Sequence, residues 1–207
     1  MGGKTWLGAV TDESNPWLDA IRLEDERNLV EAFEQYVSDA LKSLEGGFVV
    51  RAALSCCCAG DCLSGLGQTA LARTLYREAA ALYREHASTV VFESVREAVW
   101  AYREAYELFL LASERASAET ALREYVALQR KADPFVAEEA QAITPRGTNP
   151  EMAAQHRQQP TREQLSEIER SIDTLLRAGG ARARGTKPAP RRRYDQGDLA
   201  LEKSIAG

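Results

Sequence analysis

Strand-forming residues are the first thing this sequence is short of. Val, Ile and Thr are sparse and scattered among Ala, Leu, Glu and Arg, so side-chain entropy and backbone preference both favour helix, and no segment reads as a strand. Long apolar runs are missing too. None approaches the roughly 20 residues of a membrane span, and the opening MGGKTWLGAVTDES holds no apolar stretch of signal-peptide length, so a cytoplasmic protein is expected. Histidine is limited to His86 and His156, and neither follows a Glu-x-x spacing, which argues against a carboxylate-bridged di-metal bundle. There is no Gly-x-Ser-x-Gly elbow, and no Ser, His and Asp arrangement stands out from ordinary surface composition.

Cysteine is confined to Cys56, Cys57, Cys58 and Cys62, too close together for a disulfide framework that staples distant segments. Cys58 and Cys62 stand one helical turn apart, but two thiols fall short of the three or four ligands zinc requires, and both histidines are far away in sequence. Small buried thiols packed between helices are the expectation, with no cofactor and no metal. Gly2-Gly3-Lys4-Thr5 ends like a phosphate-binding loop but lacks the upstream glycine and the preceding strand. Glu24-Asp25-Glu26 reads as a solvated acidic face.

The formal net charge of −5 hides an asymmetry. Residues 177–193 carry +7 with no acid and residues 194–207 carry −2, which leaves −10 on the body before them. A phosphate-tracking body should be basic, so only the tail has the right sign for nucleic acid, through Arg182, Arg184, Lys187, Arg191, Arg192 and Arg193.

What is present is helical periodicity. Asn15 followed by Pro16 is a good helix start, with Trp17, Ala20, Ile21 and Leu23 on the apolar side. A second helix over 29–44 places Val30, Phe33, Val37, Leu41 and Leu44 at spacings of three and four and stops at Gly46-Gly47. A third over 48–66 has only Arg51 and Asp61 as charges and is expected at the centre of the fold. After Gly67, residues 70–86 carry Ala72, Leu75, Tyr76, Ala79, Leu82 and Tyr83 on one face. A fifth helix, capped by Ser88 and reaching about Ser113, has a buried stripe that includes Val91, Val95, Ala98, Val99, Tyr102, Tyr106, Phe109 and Leu110. Trp17 and Trp100 fall at core positions. A sixth runs over 116–131 and ends before Asp133-Pro134.

Residues 144–160 are poor in large apolar side chains and read as a linker. Thr161-x-x-Gln164 is a capping box that opens a seventh helix, with Leu165, Ile168, Ile172, Leu175 and Leu176 as a narrow stripe and Gly179-Gly180 as its stop. Such a stripe must dock on the body, where an end cap is expected, or pair with a second copy or a partner. The chain thus divides into a flexible N-terminus (1–14), a helical domain (15–143), the linker (144–160), the amphipathic helix (161–178) and a disordered basic tail (179–207).

The third and fourth helices resemble a tetratricopeptide repeat. Gly60 stands at the family's small helix-A position, Leu63 at its bulky one, Gly67 at the turn, and Ala72, Tyr76 and Ala79 at the helix-B spacing, while Cys56 replaces the helix-A tryptophan. Ala20, Leu23, Ala32 and Tyr36 echo the pattern earlier, and Ala121, Tyr125 and Leu128 later. The equivalent alanines Ala32, Ala72 and Ala121 are 40 and 49 residues apart, against about 34 in the family. These longer hairpins look more like those of soluble NSF attachment proteins, and the likeness covers about residues 15–134.

The resemblance implies a right-handed stack of antiparallel helical hairpins and a non-catalytic adaptor or scaffold that holds a protein or peptide on its concave face. Carried over position by position, that face falls on Trp17, Ile21 and Glu24, then Cys57, Asp61 and Ser64, then Arg103, Tyr106 and Leu110. The lining is mixed and partly acidic, which suits a basic or amphipathic helical ligand. Two alternatives stand beside it: a nucleic-acid-associated factor acting through the basic tail, and a cysteine-centred metal-binding or enzymatic bundle. Self-association through the seventh helix is a further option.

Overall fold

The computed structural model describes residues 15–132 and 159–183, and these are all-helical with no strand. In chain order the helices are α1 (Pro16–Asp25), α2 (Leu29–Glu45), α3 (Val49–Gly65), α4 (Thr69–Val90), α5 (Val95–Leu111), α6 (Arg115–Ala132) and α7 (Arg162–Ala183). From α1 to α6 each helix packs on the next, whereas α7 returns to lie on α2 and α4. The N-terminal segment with its Gly-Lys-Thr, residues 133–158, which hold most of the linker, and the tail from Arg184 onward lie outside the described residues.

Side-chain contacts give the helix directions. Asp39, late in α2, meets Arg51, early in α3, while Leu29 at the start of α2 approaches Gly65 at the end of α3. Gly60 and Asp61, late in α3, meet Tyr76 in the first half of α4, and His86 near the end of α4 meets Glu97 at the start of α5. From α2 to α5 consecutive helices therefore run in opposite directions, and α3 and α5 run the same way.

Four of the five short turns share one construction. The N–H groups of Asn28, Phe48, Gln68 and Glu114 each donate to the carbonyl five residues back, at 2.8 Å in every case. The residue before each has positive φ: Arg27 (62°), Gly47 (79°), Gly67 (76°) and Ser113 (63°). This is the Schellman closure, which satisfies the last carbonyls of a helix while turning the chain back. Glycine takes that conformation without cost; Arg27 and Ser113 do not.

Alanine and glycine at the crossings let the helices approach closely. Ala52, Ala53, Ala59, Ala72, Ala79, Ala80, Ala98, Ala101 and Ala105 are buried, with Phe33, Tyr36, Leu63, Leu75, Tyr76, Tyr83 and Phe109 filling the space between backbones. At Gly60 a Cβ would lie 2.7 Å from Cε1 of Tyr76, so the ring occupies the room that a side chain would need.

Three expectations change. Ser88 does not cap the fifth helix: α4 continues to Val90, the Ser88 hydroxyl donates to the Glu85 carbonyl at 2.8 Å, and the cap is Ser94, whose Oγ accepts from the Glu97 N–H at 3.2 Å. A serine inside a helix bonds back to its own backbone as readily as it starts a new one. The intervening turn, 91–94, holds neither glycine nor proline, and Val95 is exposed instead of buried. Gly179-Gly180 does not stop α7, which runs on to Ala183 and so takes in Arg182, because tertiary contact overrides propensity there: Gly179 is buried against the Glu78 side chain, in the space a Cβ would fill. Finally, α7 docks on the body but lies across α2 and α4 and does not cap an end.

Candidate functional site

Helices α3 and α5 share a register. In α3 the positions three, seven, ten and fourteen residues after the start hold buried Ala52, Cys56, Ala59 and Leu63, and in α5 they hold buried Ala98, Tyr102, Ala105 and Phe109. Position five is not part of this buried set. It holds Leu54 in α3 and Trp100 in α5, with relative exposures of 42% and 41%; Ile21 of the shorter α1, 39% exposed, lies level with Asp61, each six residues before the positive-φ residue of its turn. Three helices thus each present a large apolar side chain at a similar degree of exposure, level with one another in α3 and α5 and about two turns further along in α1.

The neighbours of this row are mostly uncharged. The solvent side of α3 carries Val50, Leu54, Cys57, Cys58 and Ser64, with Asp61 as its one exposed charge. Of the other large exposed apolar groups, Phe48 lies just before α3 and Phe92 and Val95 lie around the start of α5, while Leu18 lies near the start of the shorter α1. The starts of α1 and α3 are joined directly, since Arg51 Nη2 donates to Asn15 Oδ1 at 2.9 Å. At the opposite end, around Arg27, Gly67 and Ser113, no large apolar side chain among the described residues is exposed.

The residues expected to line the face divide in two. Ile21, Asp61, Ser64 and Arg103 are exposed, and Cys57, Tyr106 and Leu110 are half-buried. Trp17 is half-buried and stands edge-on to Tyr36, ring centres 5.2 Å apart, so it packs within the body. Glu24 accepts the Tyr36 hydroxyl at 2.8 Å, Asp61 accepts the Tyr76 hydroxyl at 2.8 Å, and Arg103 Nε donates to Glu107 at 3.1 Å. Burial first, then these carboxylates, push both tyrosines well above the usual phenol range. The polar members of the row are thereby held in place by the fold.

Leu54 and Trp100 were missed as members of this face, Trp100 because an aromatic at a helical apolar position usually belongs to the core. Its ring does stand edge-on to Tyr83 at 5.4 Å, yet it keeps 41% of its surface exposed. Counting from each helix start is the signal that finds both, and the Ser88 assignment of the α5 start hid it.

Cys56 and Cys62 are buried and their thiols are pushed far up by burial, with nearby acids adding to the effect, so they behave as core atoms. Cys57 and Cys58 are partly exposed. Among the described residues no group of three His, Cys, Asp or Glu side chains is placed to hold a metal ion. An open groove of about 340 Å³ between α4, α5 and α6 is spanned by the Arg84–Glu124 pair, joined by two bonds of 3.0 Å, with Tyr102 and Phe109 beneath. No described helix is long and apolar enough to cross a membrane. Arg184, Lys187, Arg191, Arg192 and Arg193 lie outside the described residues.

Fold and surface together define an all-α protein of sequentially packed helices, compatible with a helical-repeat architecture. No protein-family model, curated protein or solved structure matches the chain.

Proposed function

We propose that this chain is a cytoplasmic adaptor or scaffold without catalytic activity, a right-handed stack of helical hairpins of the tetratricopeptide kind that binds a partner protein across α1, α3 and α5. The observation that carries the reading is the exposure of Leu54 and Trp100 at one register position of α3 and α5, with Ile21 of α1 exposed to a similar degree. Three half-exposed apolar side chains on consecutive odd helices are a poor use of surface unless something covers them. An amphipathic helix meets them with its own apolar stripe, and the −10 charge of the body favours basic residues on the edges of that helix.

The test is affinity capture from source lysate at two salt concentrations, comparing the native chain with the Leu54→Glu, Trp100→Glu double variant, read by mass spectrometry. Both positions are about half exposed, so the double variant should keep its helical content and melting temperature. A protein partner captured by the native chain and lost from the variant supports the reading. Equal capture by both chains, or recovery of nucleic acid alone, would overturn it.

A further inference from the structure

Helix α4 packs on both α3 and α5, and two of its buried tyrosines fix the ends of the groove that those helices flank. Tyr83 stands edge-on to Trp100 of α5, ring centres 5.4 Å apart, at the end where Leu54 of α3 is exposed in the same register. Tyr76, two turns earlier in α4, donates its hydroxyl to Asp61 Oδ1 at 2.8 Å, and Asp61 lies two turns beyond Leu54 on the same stripe of α3. Because α4 runs against α3, the two spacings coincide. The groove has an apolar end at Leu54 and Trp100 and an acidic end at Asp61, about 10 Å further along.

A phenol is a neutral donor, so the Tyr76 bond positions the Asp61 carboxylate without cancelling its charge, and Asp61 stays exposed. On the facing helix, Arg103 Nε donates to Glu107 Oε1 at 3.1 Å and Glu107 is buried, so that pair adds no net charge. Glu104, beside Arg103, has the sign of Asp61, while Arg96 lies a turn beyond the apolar end, away from Asp61. Cys57 and Ser64, on the exposed side of α3, are uncharged. The groove is thus net negative at one end only, and its sign agrees with the −10 of the body.

We infer, on the reading of α1, α3 and α5 as a docking face, that Asp61 determines which helix that face accepts: it receives a lysine or arginine of the partner helix, placed seven residues from the apolar side chain that the same helix lays on Leu54 and Trp100. Seven residues advance a helix by about 10 Å and return it to nearly the same side, so one stripe of the partner meets both ends of the groove. Opposite charge at Asp61 then selects among amphipathic helices that the apolar end alone would accept equally.

The probe is a phage-displayed library of single helices randomised along one face, selected against the full native chain and, in parallel, against the chain carrying Leu54→Glu and Trp100→Glu. Peptides enriched on the native chain alone should carry Lys or Arg seven residues from an apolar residue. One such peptide is then synthesised with that basic residue and with Gln in its place, and titrated by fluorescence anisotropy. The basic form should bind the native chain about twofold to fivefold more tightly than the Gln form, and the two should bind an Asp61→Asn chain equally. Asn keeps an acceptor for the Tyr76 hydroxyl, so the helical content of that chain should be unchanged. Equal enrichment on both chains, or none on either, would overturn the docking face and with it the role of Asp61. Peptides lost from the doubly substituted chain but indifferent to a basic residue at that spacing, or a basic preference that survives Asp61→Asn, would overturn the role of Asp61 and leave the face standing.

Discussion

The Asp39 carboxylate, 3% exposed, accepts from both Nε and Nη2 of Arg51 one helix further on, the shortest contact being 2.6 Å. The Ser55 hydroxyl donates to its other oxygen at 2.6 Å, and the same Arg51 reaches Asn15, whose Oδ1 caps α1 by accepting from Trp17 N–H at 3.1 Å. One buried acid thus ties α1, α2 and α3 together. Arg51→Ala leaves that acid buried without its cation and should destabilise the chain by about 2–3 kcal/mol, just below the range for fully buried pairs because Arg51 itself is partly exposed. Arg51→Met with Asp39→Leu should recover most of the loss. Urea denaturation of the two variants checks both statements, and equal destabilisation by the single and the double change would contradict them.

Ser113 and Arg27 adopt the left-handed conformation that Gly47 and Gly67 adopt in the matching turns. Replacing either by glycine removes the steric cost of a Cβ there, partly offset by the greater freedom of glycine in the unfolded chain. Ser113→Gly and Arg27→Gly should each stabilise by about 0.5–1 kcal/mol, whereas Gly67→Ala should cost a similar amount. Thermal melts of the three variants show whether the signs fall out this way.

These turns also show where sequence reading succeeds and where it runs out. Gly46-Gly47 and Gly67 announced two helix ends correctly because only glycine enters the left-handed region freely. Arg27 and Ser113 close their helices by the same hydrogen bonds without the residue that would have announced them, and Gly179-Gly180 carried the signal without the consequence, since Glu78 and the apolar anchors hold α7 helical through it. Apolar periodicity located every described helix, but the true start of α5 rested on whether Ser88 or Ser94 was the cap. That six-residue difference hid the alignment of Trp100 with Leu54. Which helix covers which face depends on contacts between distant residues, such as Gly179 with Glu78, and these leave no local pattern.

The four cysteines should separate into two kinetic classes. Cys57 and Cys58 are partly exposed, while Cys56 and Cys62 are buried with thiols far above the usual range, so both access and thiolate formation oppose their reaction. Titration of the native chain with a chromogenic disulfide reagent should give two prompt equivalents and reach four only in denaturant. Four prompt equivalents in the native chain would mean that α3 is less tightly enclosed than its contacts with α2 and α4 imply.

Glu78 gives the stability of the docked state a pH dependence of definite sign. Its carboxyl is raised above the ordinary 4.5, by burial first, against the opposing Arg77. The folded chain therefore holds this proton more tightly than the unfolded chain does. The associated stabilisation is fully present below the unfolded value of 4.5 and disappears as pH rises through the folded value. Glu34, raised in the same direction, adds to the trend. Glu78→Gln mimics the protonated state at every pH, so it should stabilise the chain at neutral pH and flatten the decline above 4.5. Denaturant midpoints for native and variant chains from pH 4 upward decide the matter. If the native midpoint rises through this window while the Gln variant follows it in parallel, Glu78 is not the group responsible, and the carboxylates facing water control the profile instead.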